Sequence, residues 1–195
     1  VFGIDGKVPI SLDVEPIRAG YSGEPLVQSD EFDYMPGEKL KLCWQWNHIP
    51  DTDKWSLTER PGYLRLKTCI PVNDIQLARN TLGQRTWGPR CGAITVLDHA
   101  GLQEGERAGL CIMQSRYVWL GVKVENGTKY LVYCTRDPEK KDLPNGTGNE
   151  HVIRELTPEP VTLKVDCEFE DNRDLVYFSY LDNGEWKGIE KILHL

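Results

Sequence analysis

No stretch of this chain is apolar for long enough to cross a membrane, which takes about 20 consecutive residues in a helix. The opening VFGIDGKVPI has neither the charged start nor the apolar run of a signal peptide. Positive charge is also short: 23 Lys and Arg stand against 30 Asp and Glu, a net charge of -7. Nucleic acids are drawn by a basic field, so the balance argues against a polyanionic partner. The one compact basic cluster, EKK at 139–141, reads as a solvated loop. None of the six cysteines is paired at C-x-x-C spacing, and none of the four histidines stands at ligand spacing from them, which disfavours zinc. The G-x-S-x-G of an exposed serine nucleophile is missing, as are a glycine-rich phosphate loop and any internal repeat.

What is present is a chain of short strands. At 195 residues, 39% hydrophobic and 27% charged, the sequence describes one globular domain with a sizeable core. Alternation with period two recurs, and no long segment keeps a helical period. In PVTLKVDCEFE, Val161, Leu163, Val165, Cys167 and Phe169 face one way; Thr162, Lys164, Asp166, Glu168 and Glu170 face the other. The same rule predicts that Leu40, Leu42, Trp44 and Trp46 share a face, with Trp44 in the core. Strands are further predicted in GYLRLKT, GAITVLD, RAGLCIMQ, RYVWLGVKVE, TKYLVYC, HVIREL and DLVYFSYL. E-N-G-T at Glu125 predicts a hairpin, and L-P-N-G at Leu143 and D-N-G-E at Asp182 predict turns. Turn chemistry also accounts for the N-x-T sequons at Asn126 and Asn145. Short strands joined by turns predict a jelly-roll β-sandwich of two antiparallel sheets. A short helical turn is expected near Asp74 to Arg79. Cysteines inside strands act as small apolar residues, so reduced, buried thiols are expected. Residues 1–29, rich in proline and glycine, read as a linker, leaving 30–195 for the sandwich.

Catalysis finds little support in these residues. Hydrolysis of a glycoside commonly takes two carboxyl groups flanking the bond. The best local set, Asp166, Glu168 and Glu170, continues a face begun by Thr162 and Lys164, which is the pattern of a solvated strand. Binding is better provided for. Sugar C–H faces stack on aromatic rings, while hydroxyls pair with amides, carboxylates and guanidinium groups. The stretch from Lys41 to Leu66 holds Trp44, Trp46 and Trp55 together with Asn47, His48, Asp51, Asp53 and Arg60. Trp46 ends a strand beside Asn47 and His48, where ligands often bind. ARNTLGQRT places Arg79, Asn80, Gln84 and Arg85 just before Trp87, and polar groups this dense between strands suggest a pocket or a domain interface. On RYVWLGVKVE, Tyr117, Trp119 and Lys123 lie opposite the apolar face, where they either pack a second layer or line an exposed surface.

WQWNHIPDTDKWSLTERPGYLRLKT and ARNTLGQRTWGPRCGAITVLD, continued by GERAGLCIMQSRYVWLGV and opened by EFDYMPGEKLKLCWQW, closely resemble the C-terminal β-sandwich of family 43 glycoside hydrolases. The resemblance covers roughly Asp30 to Leu195 and implies a concanavalin A-like fold. This module has been grouped with xylan-binding carbohydrate-binding modules. In β-xylosidases and α-L-arabinofuranosidases of the family it follows a five-bladed β-propeller that holds the catalytic carboxylates, so no catalytic residue is expected in this chain. Family members run past the equivalent of ILHL, so the sandwich is expected to lack its closing strands. The resemblance also allows a structural calcium ion, for which Asp30 and Glu31 would supply half of the site; no cofactor is otherwise required. Two functions are then expected. One is binding of xylan or arabinoxylan oligosaccharides by Trp46, Asn47, Arg60, Arg85, Trp87, Gln114 and Tyr117. The other is bracing of the propeller, with Asn47, Arg60 and Arg85 at the interdomain contact. An independent glycanase using Glu168 and Glu170 is the least supported reading. The cysteines, Cys43 and Cys91 among them, lie outside the family pattern.

Overall fold

A computed structural model describes residues 20, 25–136, 148–189 and 193–194. Most of the proposed linker, the EKK cluster, the L-P-N-G turn and the Asn145 sequon fall outside them. The strands are β1 (Gln45–Trp46), β2 (Trp55–Ser56), β3 (Arg65–Leu66), β4 (Leu82–Gly83), β5 (Arg90–Leu97), β6 (Arg107–Met113), β7 (Tyr117–Glu125), β8 (Thr128–Arg136), β9 (Asn149–Glu155), β10 (Val161–Glu168), β11 (Leu175–Asp182), β12 (Glu185–Gly188) and β13 (Leu193–His194).

Two larger antiparallel sheets make the body. One has four strands in the order β6-β7-β8-β9; the other runs β12-β11-β10-β5, with β13 also paired to β11. β1 pairs with β4 and β2 with β3 in two separate two-stranded ladders. The two predicted asparagine–glycine turns close hairpins. Asn126 and Gly127 take φ of 53° and 73° between β7 and β8, and Asn183 and Gly184 take 50° and 81° between β11 and β12. Positive φ at both central positions matches the right-handed twist of the flanking strands.

The core lies where the two larger sheets face each other. β7 supplies Val118, Leu120 and Val122, β8 supplies Leu131 and Tyr133, β10 supplies Val161, Leu163, Val165 and Cys167, and β11 supplies Val176 and Phe178. Tyr133 meets Phe178 edge-on, with ring centroids 6.1 Å apart. On β10 burial alternates as predicted, since this strand is covered on one face only.

The four-stranded sheet is different, because β7 is buried on both faces. Tyr117, Trp119, Val132 and Cys134 form a second apolar layer on its outer side, joined by Ile75, Cys111, Met113 and Tyr130. Of the two expectations for Trp119, packing is the one found. Gly109 and Gly121 sit opposite each other on β6 and β7, so close that a Cβ on either would run into the facing backbone.

Alternation misleads through residues 40–46. Leu42, expected in the core, is 86% exposed, whereas Cys43 is buried. Only Gln45 and Trp46 are in a ladder here, so no pleat sets the faces of the residues before them. Trp44 joins no buried core cluster; its indole N–H donates to Asp30 (2.8 Å) and its ring packs on Phe32, centroids 5.5 Å apart.

A loop cluster on the outer face of the four-stranded sheet

Residues 45–83 carry only two short ladders, so side chains organise them. Asp74 starts a 3-10 turn over Ile75–Leu77, its carboxylate accepting the Gln76 N–H (2.9 Å). Gln76 is the hub. Its carbonyl accepts Asn47 Nδ2–H (2.9 Å) and lies 2.6 Å from His48 Nε2, while its amide donates to the Gln114 carbonyl. Trp46 packs on Trp55 with centroids 5.2 Å apart. Arg79 bonds Asp51 (3.0 Å) and Asn80 donates to the Lys67 carbonyl (2.9 Å).

Contacts along the 3-10 turn and from Thr68 hold this cluster to the sheet. Ile75 packs into the outer apolar layer, Asp74 pairs with Arg136 (3.1 Å), Gln76 reaches Gln114, and the Thr68 hydroxyl donates to Glu106. Farther along the same face, Glu150 accepts Arg107 Nε–H (2.6 Å), with Lys123 3.6 Å away. Burial acts to raise the Glu150 carboxyl, but the Arg107 bond and the two positive charges outweigh it and leave it below its ordinary value.

The seven candidate binding residues therefore divide. Trp46, Asn47, Gln114 and Tyr117 gather around the 3-10 turn, yet Asn47 is committed to Gln76 and Tyr117 is buried. Arg60 is held elsewhere, by Asp98 and by stacking 3.8 Å over the Tyr63 ring. The Asp98 carboxyl is in turn held below its usual range by the Ala100 N–H and by Arg60. Arg85 and Trp87 are exposed on the connection from β4 to β5; Trp87 is 57% exposed and its main-chain N–H points at Cys91 Sγ (3.4 Å). Gln84, predicted with them, instead exchanges two hydrogen bonds with the main chain of Gln28 (3.0 and 2.8 Å). Sequence reasoning missed Gln76 and Asp98 as organisers. The Asp two residues before Gln76, a cap residue ahead of a short turn, was the available signal.

Nothing in the cluster is arranged for bond cleavage. Glu168 is paired with Arg90 (3.8 Å) and Arg173, and Glu170 with Arg90 (2.9 Å). Glu170 lies beyond the end of β10 and opens a 3-10 turn, and both carboxylates are tied to Arg90. Burial pushes the Cys111 thiol up to about 11 and the Cys134 thiol up to about 12, which removes both as nucleophiles. Asp30 does not fit a calcium ligand among these residues. Its carboxylate already accepts the Phe32 N–H (3.0 Å), the Tyr34 hydroxyl and the Trp44 indole N–H, and lies 3.4 Å from Lys41 Nζ. Calcium needs six to eight oxygens, Glu31 is exposed, and no group of three or more candidate ligands exists among the described residues.

Comparison with known proteins places this geometry. Residues 29–194 match the beta xylosidase C-terminal concanavalin A-like domain. A beta-xylosidase of Formosa agariphila is 33% identical over an alignment of 177 positions that covers 79% of this chain and 30% of that protein. The chain thus spans about a third of that relative's length. A bifunctional GH43-CE protein of Bacteroides eggerthii superposes with a TM-score of 0.75 at 37% identity, over 98% of this chain and 24% of that one. The GH43 BlXynB protein of Bacillus licheniformis gives a TM-score of 0.61 at 27% identity, over 83% and 30%. Short loop ladders standing on a two-sheet antiparallel sandwich, without a catalytic set among the described residues, agree with these likenesses: the chain belongs to the C-terminal concanavalin A-like domains of family 43 glycoside hydrolases.

Proposed function

We propose that this domain is a non-catalytic accessory module of a xylan-active family 43 enzyme, and that its loop cluster docks on the catalytic β-propeller and closes one wall of the active site. One observation carries the reading. His48 and Gln76 are joined at 2.6 Å, and the residues that follow them, Ile49 and Leu77, are 87% and 61% exposed. Aliphatic side chains presented on an internally bonded support suit a protein surface better than a sugar. Two of the groups expected to read hydroxyls are already spent: Asn47 on Gln76 and Arg60 on Asp98. Xylan as the parent substrate rests on the names of the relatives.

The test is made in the polypeptide that joins this domain to its propeller. Ile49→Asp with Leu77→Asp is expected to lower kcat/KM on xylo-oligosaccharides at least tenfold, with circular dichroism of the domain unchanged. Wild-type turnover in that double variant would remove the docking role.

Arg85 and Trp87 favour a second reading, binding of xylan or arabinoxylan by the domain itself. Trp87 offers an open ring, and Arg85 has no hydrogen-bond or ionic partner among the described residues. This reading expects the isolated chain to be retarded by xylan in an affinity gel and Trp87→Ala to abolish the retardation. Free migration through xylan and arabinoxylan gels alike would exclude it.

A further inference from the structure

Cys91 on β5 and Cys167 on β10 are direct cross-strand partners. Both are free thiols, and Cys91 packs against the core cluster that holds Cys167. The register sets their spacing. Phe169 N–H donates to the Pro89 carbonyl (2.7 Å) two residues along the same ladder. Every second pair from there, Cys167 with Cys91 included, is therefore of the hydrogen-bonded kind, with Cα atoms about 5.5 Å apart. A disulfide needs Cα atoms roughly 4.4–6.8 Å apart, which this pair meets, and Cβ atoms about 3.5–4.5 Å apart, which a hydrogen-bonded pair reaches when the edge strand moves inward by about 1 Å.

Access is also provided. Among the described residues β5 is an edge strand, so the ladder that holds the pair is open to solvent along one side. Cys91 is half-buried while Cys167 is buried. The remaining cysteines lack this arrangement: Cys111 and Cys134 face Trp119 from opposite sides, one full strand apart.

We propose that Cys91 and Cys167 are a redox-convertible pair, which a low-molecular-weight disulfide turns into a cross-strand disulfide stapling edge strand β5 to β10. The Cys91 thiolate attacks one sulfur of the small disulfide and expels a thiolate, leaving a mixed disulfide on Cys91. The Cys167 sulfur then attacks Cys91 Sγ and expels the second small thiolate. Two protons pass from the protein thiols to the two leaving thiolates; the protein loses two electrons and the small disulfide gains them. Burial, reinforced by the neighbouring Cys91, pushes the Cys167 thiol up to about 12, so the more open Cys91 is the entry point and Cys167 the resolving thiol. Because Cys91 Sγ receives the Trp87 N–H, the staple forms at the root of the connection that carries Trp87.

The full chain is equilibrated with reduced and oxidised glutathione, quenched by alkylation, and read by intact mass and peptide mapping. The expected oxidised species is lighter by two hydrogens, carries no glutathione, has lost two of its six alkylatable thiols, and yields a peptide joining positions 91 and 167. Cys91→Ser is expected to abolish it, Cys43→Ser to leave it, and oxidation to raise the melting temperature only where both partners are present. Should Cys167→Ser fail to fold, Cys91→Ser carries the control. A persistent glutathione adduct on Cys91, a disulfide between other cysteines, or six thiols retained in excess oxidised glutathione would each overturn the proposal.

Discussion

Asp74 and Arg136 stand 3.1 Å apart, and through them the 3-10 turn of the loop cluster is bound to the last residue of β8. Both side chains are mostly buried, so losing one partner leaves a charge without compensation. Asp74 also caps the turn. Asp74→Ala is expected to lower unfolding stability by about 2–4 kcal/mol, and Asp74→Asn by about half as much because the cap survives. Urea titrations decide it; wild-type stability in Asp74→Asn would show that the ion pair contributes nothing beyond the cap.

Facing glycines offer a second test. A methyl group at Gly121 would meet the Ala108 carbonyl and the Gly109 Cα, both backbone atoms that cannot swing away. Gly121→Ala is expected to cost about 3 kcal/mol or more, at the upper end of overpacking penalties. Gly83→Ala, where nothing lies within 4 Å of the added carbon, should cost under about 1 kcal/mol.

Acid sensitivity should concentrate at Glu150. Its folded-state pKa is depressed below the ordinary 4.5, so its contribution is present above that pH and disappears as pH falls through the folded value. Stability measured from pH 6 downward should therefore decline below about pH 4.5. Glu150→Gln should flatten that decline while lowering stability at pH 6. If the acid limb keeps its slope in the variant, other carboxylates, Asp30 and Asp98 first, carry it.

Asp30 makes the metal expectation testable. With its oxygens already accepting N–H and O–H donors, the chain should keep its melting temperature when calcium is added or chelated. Asp30→Ala, by contrast, strips three donors of their acceptor and should cost about 2 kcal/mol or more. A calcium-dependent rise of several degrees in melting temperature would restore Asp30 as a ligand.

The sandwich was legible where one face meets the core and the other meets water. Val161 through Glu168 shows this, because ladder geometry forces alternate residues onto opposite sides. The asparagine–glycine hairpins were legible for a local reason, the positive φ their turns require. The stretch from Leu40 to Trp46 was not. Its order comes from partners far along the chain, Asp30 for Trp44 and Trp55 for Trp46, and alternation says nothing about such contacts. The candidate site was half legible for a related reason. Composition pointed to polar and aromatic residues of the loop cluster, but Asn47 and Arg60 reveal their commitments only once Gln76 and Asp98 are in place. β12 escaped notice because all four of its residues are exposed, which leaves no apolar rhythm to read.

Burial of β7 on both faces divides the molecule by rate of opening. Its amides, shielded by the core on one side and the Trp119 layer on the other, should exchange with solvent only on global unfolding. Residues 45–83, with two-residue ladders and exposed main chain, should open at a fraction of that free energy. A preparation can then show a full β-sheet spectrum and a sharp melting transition while the surface proposed for docking has already come loose.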